Sequence, residues 1–267
     1  MSGGLGAFVS DLTSGAISVV DLTHTLRPDF PRITLPAEFA PSAPFRIEEV
    51  AHYDARGPAW YWNNFSCGEH TGTHFDAPAH WISGRNLPNA TTDTIPAENF
   101  VGPACVIDCR EEAASDADFL LTRERVLAWE AAHGAIPPRA WVLMHTGWAG
   151  KANDPVAFQN FSDDGQHTPG PDANCITFLI EKRDILGFGT ETIGTDAGQG
   201  ANLTPPYPAH YALHGANRYG LQCLANLDQL PATGALLVAA PLKIRRGSGS
   251  PARVLAFVPS MTPQRSR

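Results

Sequence analysis

The sequence predicts a mixed α/β fold with much of its strand content central. Two observations lead there. Short apolar, β-branched runs alternate unevenly with stretches of helical periodicity. Of the 267 residues, 43% are apolar, ample for a buried core, and nothing in the composition suggests disorder. That length fits one large domain or two small ones, and no internal repeat divides it.

The first element is residues 17–22 (ISVVDL), a β-branched run expected to be a strand. Residues 27–58 are rich in proline, including Pro28, Pro31, Pro41 and Pro44, and read as an irregular excursion with one strand near 46–52. Residues 102–108 give another strand. A helix is expected over 122–133, with Thr122 as N-cap, Gly134 closing it and Pro137–Pro138 stopping it. A strand at 141–145, a short helix at 177–182 and strand-like segments at 186–190 and 192–195 follow. Residues 210–227 space their apolar side chains like a helix, despite two glycines. Closing strands are expected at 236–244 and 254–258.

Composition narrows the partners. The formal net charge is −8, and no Lys/Arg cluster interleaved with aromatics offsets it, so nucleic acid and anionic lipid are not expected ligands. The longest apolar run, near 235–240, is far too short to span a bilayer. The opening MSGGLGAFVS lacks a basic residue and an apolar stretch of signal-peptide length. Five scattered cysteines form neither a CxxC pair nor a disulfide framework, and a reducing cytoplasmic location is expected.

The chemistry concentrates in EHTGTHFDAPAHW, residues 69–81, which places His70, His74, Asp76 and His80 close together in a chain with ten histidines. If 70–76 is extended, His70, Gly72, His74 and Asp76 share one face, while Thr71, Thr73 and Phe75 turn toward packing. A straight strand would hold the two histidines about 13 Å apart at Cα. Gly72 can bend the backbone and close that gap, whereas the β-branched threonines disfavour a helix. Two imidazoles and a carboxylate suit zinc, manganese or Fe(II) and leave positions for water and substrate. Pro78 rigidifies the exit and puts His80 nearby as a proton carrier rather than a ligand. A metal-dependent hydrolase is the expected class.

Read in full, His70-Thr-Gly-Thr-His74-Phe-Asp76-Ala-Pro78-Ala-His80 resembles the HxGTHxDxPxH signature of the metal-dependent cyclase family, which includes bacterial kynurenine formamidases and isatin hydrolases. Asp21-Leu-Thr-His24, the run 142–148, Gly194-Thr-Asp-Ala-Gly198 and the segment 241–251 resemble further family elements. The resemblance implies a swivelling β/β/α fold: one domain over 1–267, with a central barrel-like mixed sheet and peripheral helices. It also implies a homodimer or higher homo-oligomer, in which the 27–65 excursion serves as a lid or reaches the neighbouring active site.

One position separates the family's branches. Two-metal formamidases carry a histidine in Pro-Ala-His and a glutamate twelve residues on. Here Pro208-Ala209-His210 is present, but the second position is Gln222. A neutral amide does not balance charge as a carboxylate does, so two divalent ions against Asp76 alone would be electrostatically poor. One ion held by His70, His74, Asp76 and the Gln222 carbonyl is the expected set. The resemblance to isatin hydrolases favours manganese, with zinc possible.

The implied reaction opens the lactam of isatin, a flat cyclic amide. His80 would act as proton shuttle, and His210 would hydrogen-bond a substrate oxygen. Trp60, Trp62, Phe65 and Trp81 are candidate pocket walls for a flat aromatic substrate. Cys223 follows the proposed amide ligand but reads as a small buried apolar residue. The nearest rival is an arylformamidase. More remote are a non-haem Fe(II) oxygenase built on His74-Phe-Asp76 and a non-catalytic metal-binding module.

Overall fold

The structure, a computed structural model, describes residues 4–35 and 38–260. The ends of the expected 1–267 domain, and Pro36 and Ala37 of the excursion, lie outside the described residues. The chain opens with helix α1 (Gly4–Ser14), which buries none of its side chains, and strand β1 (Ile17–Asp21). The excursion then yields two long strands, β2 (Arg46–Asp54) and β3 (Gly57–Ser66), paired antiparallel as a hairpin. Only the first was expected. β4 (His74–Asp76) carries two of the ligand candidates and is wholly buried. It is followed by β5 (Val101–Asp108), α2 (Arg110–Ser115), β6 (Leu120–Leu121) and α3 (Arg123–His133). Thr122 caps α3 as expected, accepting from the Arg125 amide.

Strand β7 (Trp141–His145) is buried along its whole length, as a parallel strand covered on both faces should be. Next come α4 (Pro155–Gln159), the short strands β8 (Phe161–Ser162), β9 (Gly165–Gln166) and β10 (Gly170–Pro171), and α5 (Ala173–Arg183). α5 begins earlier than expected because Asp172 caps it, accepting from the Cys175 amide. The last elements are β11 (Gly187–Thr190), α6 (Pro208–Gly215), β12 (Tyr219–Gln222), β13 (Ala235–Pro241) and β14 (Gly249–Pro259).

The main sheet runs β1-β14-β13-β5-β7-β11-β12-β4, and β4 pairs again with β14. Seven strands therefore close into a barrel, with β1 attached outside. β14 permits this through its length. Residues 249–251 pair with β4, 252–257 with β13, and 255–259 with β1. The β5–β7–β11–β12 ladder is parallel and the other pairings are antiparallel. Leu143, Leu221, Leu237, Val254 and Phe75 fill the barrel. Val142, Met144 and Phe188 face outward and pack beneath α3, α5 and α6 with Val126, Leu179 and Leu213. Gly187 is required where β11 crosses β7, because a Cβ there would overlap the Trp141 ring and the Tyr219 carbonyl.

Two expected elements are corrected. The helix over 210–227 stops at Gly215, and 219–222 is β12, a fully buried barrel strand. Its short apolar run fits either period, and burial on both faces decides for the strand. Residues 192–195 are not a strand. The Thr190 and Thr192 hydroxyls bond one another at 2.9 Å, and Thr192 donates to the Gly194 carbonyl, so side chains shape a turn there.

Candidate metal centre

The centre assembles where β4 lies between β12 and β14. Gly72 has φ +63°, a left-handed conformation that turns the chain back ahead of β4. That turn swings His70 onto its neighbour, so that its Nδ1 lies 2.6 Å from Asp76 Oδ1. His74 Nε2 lies 3.5 Å from the same oxygen. Thr73 and Phe75 point the other way, the first to the Cys223 carbonyl and the second into the barrel core.

Hydrogen bonds fix which ring nitrogen faces the centre. His74 Nδ1–H donates to the Gly72 carbonyl at 2.7 Å, which leaves the Nε2 lone pair toward Asp76. Ser248 Oγ donates to Glu69 Oε2 at 2.5 Å and so accepts from His70 Nε2–H at 2.9 Å. His70 Nδ1 then faces the Asp76 carboxylate at 2.6 Å, a pairing that takes either a proton or a metal ion between the two atoms. Ligand atoms of His70, His74 and Asp76 all lie within 4.8 Å of one another. The donor set fits a divalent ion.

Asp76 is 1% exposed. Burial opposes its ionisation, but the imidazoles of His80, His70 and His74 packed around it favour the carboxylate, outweigh burial and hold the carboxyl well below its usual range. Its Oδ2 accepts from Gln222 Nε2, and Gln222 Oε1 is buried without a hydrogen-bond partner. Burial, opposed by Asp76, takes His74 down to about 4. His80 closes a short 3₁₀ turn over Pro78–His80 and stacks on the His70 ring with centroids 3.8 Å apart. Burial, with His70 and His210 alongside, pushes its pKa far below the ordinary value and keeps it neutral.

His210 reaches the centre from α6, with Nε2 3.7 Å from Asp76 Oδ2. Asp76, His80 and His210 form a second set of ligand atoms within 4.8 Å of one another. Trp81 packs on His210 with ring centroids 4.8 Å apart. Trp60, Trp62 and Phe65 stand elsewhere, on β3, exposed by 47%, 58% and 63%. Their stacking is Trp60 on Trp62 and Phe65 on Phe45.

The sequence reading assigned no role to Glu69, Asp196, His214 or Ser248, all of which touch this cluster or the residues that orient it. His214 carried a signal, standing one helical turn beyond His210. Asp196 and Ser248 lie in the family-like segments 194–198 and 241–251, but nothing local tied them to the histidines, because only the closed barrel brings their loops there.

The Cyclase family model matches residues 20–197. The chain belongs to the Cyclase family. It is 50% identical over 257 residues to an isatin hydrolase from Roseibium aggregatum, and the match covers 96% of each chain. The structure of isatin hydrolase A from Labrenzia aggregata bound to benzyl benzoate is 62% identical and gives a TM-score of 0.94, covering 96% of this chain and 99% of that one. A kynurenine formamidase from Polaromonas naphthalenivorans is more distant, 29% identical over 197 residues, which cover 72% of this chain and 73% of the relative. The resemblance carried by the histidine segment is thus borne out, and so is the mixed α/β fold with its barrel-like sheet.

Proposed function

We propose that this Cyclase family member is a metal-dependent hydrolase that opens the lactam ring of isatin to isatinate. The observation that carries the reading is its likeness to isatin hydrolases over nearly the whole of both chains. His70 Nδ1, His74 Nε2, Asp76 and the unpartnered Gln222 Oε1 would hold one divalent ion, manganese in preference to zinc. Bound there, the ion would acidify a water and polarise the lactam carbonyl. His80, neutral and beside Asp76, takes the proton of the attacking water. It returns that proton to the aryl nitrogen as the carbon–nitrogen bond breaks. The water oxygen stays on the new carboxylate. His210, doubly protonated against Asp196, donates from Nε2 to a substrate oxygen, and Trp81 forms one wall of the pocket.

A second reading, arylformamidase, is favoured by the second ligand set of Asp76, His80 and His210, where another ion would fit. Purified protein should open isatin with about one metal per chain, and it should cleave N-formylkynurenine far more slowly. The opposite preference, with two metals bound, would replace the first reading by the second.

The exposed aromatics on both faces of the β2–β3 hairpin support a homodimer in which the 27–65 excursion covers the neighbouring subunit, bringing aromatic side chains among Trp60, Trp62 and Phe65 to its pocket. All five cysteines are free, in keeping with the expected cytoplasmic location, and among the described residues no helix is long and apolar enough to cross a membrane.

A further inference from the structure

Helix α6 starts without a side-chain cap of its own. Tyr207 occupies the N-cap position in a left-handed conformation, and Pro208 has no amide hydrogen. The first free donors are the amides of Ala209 and His210, and both go to one distant side chain. Asp196 Oδ1 accepts from Ala209 N at 2.6 Å, and Asp196 Oδ2 accepts from His210 N at 3.1 Å. The same Oδ2 lies 2.5 Å from His210 Nδ1. One oxygen thus holds both the backbone and the ring of His210, which leaves the imidazole little rotational freedom. The loop bearing Asp196 is itself clamped. Gly198 N donates to the Thr168 carbonyl at 2.8 Å, and a Cβ on Gly170 would overlap the backbone of Ala197.

The geometry points to Asp196 as a positioning residue for the reaction. By accepting a hydrogen bond from Nδ1–H it keeps the His210 proton on Nδ1, and so fixes Nε2 as the atom that faces Asp76 and the substrate. This deepens the isatin-hydrolase reading and rests on it for any effect on turnover. It does not depend on whether Nε2 finally meets an ion or a substrate oxygen. An alternative partner for Nδ1, the Thr195 hydroxyl at 3.3 Å, is longer and uncharged, and the carboxylate bond dominates.

Asp196→Asn weakens the clamp selectively, since its one amide oxygen can still accept from Ala209 N in the Oδ1 place while its NH2, in the Oδ2 place, no longer accepts from the His210 ring. Residues that orient a ligand histidine in this way typically matter by about 10–100-fold, and a loss of that size in kcat/KM for isatin is expected with little change in Tm. In a His210→Ala background the same substitution should add less than about twofold, because it then has nothing to orient. Full activity in Asp196→Asn, or an equal further loss in the His210→Ala background, would overturn the assignment. Nitrogen-15 NMR of the histidine rings in the unmutated protein reads the clamp without turnover, with the His210 signal identified by its loss in His210→Ala. A proton on Nδ1 is expected, and a ring protonated only at Nε2 overturns the proposal. If the protein opened no isatin at all, the substrate reading would fail while the NMR result still judged the clamp.

Discussion

At the scale of single residues, the centre divides its carboxylate from its bases. Asp76 carries the buried negative charge, whereas His80 is held neutral beside it. His80→Ala should keep the metal but lose about 10²–10⁴-fold in kcat, the range of a general acid–base group. Asp76→Ala should lose both metal and turnover. Metal analysis after gel filtration, run alongside isatin absorbance, distinguishes these outcomes, and an active His80→Ala variant would remove the proton shuttle from the mechanism. Gln222 bears on stoichiometry. Restoring a carboxylate with Gln222→Glu would place a second negative group against Asp76 Oδ2, where the amide now donates. The expected result is a rise from about one bound divalent ion per chain toward two. Unchanged stoichiometry would show that Gln222 does not set the ion count.

Most of this grouping was legible in the sequence because the candidate ligands are close together in the chain. Residues 70–80 bring four groups together through one glycine bend, and local spacing is what a sequence displays directly. Asp196 acts on a helix that starts twelve residues later, and Ser248 acts on His70 across the barrel. Neither relation has a periodicity to read.

At the scale of elements, burial decided what propensity left open. β5 and β7 were readable as strands because both faces are covered, which leaves unbroken apolar runs. β12 was misread for the same reason, since its run continues the spacing of α6. The hairpin of β8 and β9 offers a separate test, based on charge. His167 Nδ1 lies 2.7 Å from Asp118 and its Nε2 lies 2.9 Å from Asp164. These bonds, Asp118 first, raise the His167 pKa above 6.5, while Ser162 and then His167 hold Asp164 down at about 2. The His167 contribution is therefore complete below 6.5 and is lost as pH rises through its raised value. The Asp164 contribution is complete above 3.8 and is lost as pH falls through about 2. Between those limits the hairpin should be most firmly pinned. Proton NMR should give a His167 midpoint above 6.5, one that falls toward 6.5 in Asp118→Asn. A midpoint at or below 6.5 would refute the pinning.

At the scale of the whole molecule, the β2–β3 hairpin is the part the barrel leaves uncovered. A lone two-stranded hairpin is marginal in water. This one exposes Ile47, Tyr53, Trp60, Tyr61, Trp62 and Phe65. A second subunit packed around that hairpin would account for a surface that the fold itself does not bury. Trp62→Ser with Phe65→Ser should move the protein from dimer to monomer in sedimentation and lower kcat/KM for isatin, while far-ultraviolet circular dichroism stays unchanged. A variant that remained dimeric would place the interface elsewhere. The sequence showed these aromatics but not where they stand, because hydrophobicity does not distinguish a pocket wall from a subunit contact.

The threefold pairing of β14 also has a consequence for how the protein is made. The segment bearing the candidate ligands is synthesised long before its neighbouring strand, and His70 lies 178 residues ahead of the Ser248 that bonds it. A nascent chain carrying residues 70–80 has histidines but no assembled centre. Contacts this remote in sequence cost loop-closure entropy and form late. Competence to hold an ion should therefore arise in a single step, as β14 closes the ring of seven by bridging β4 and β13.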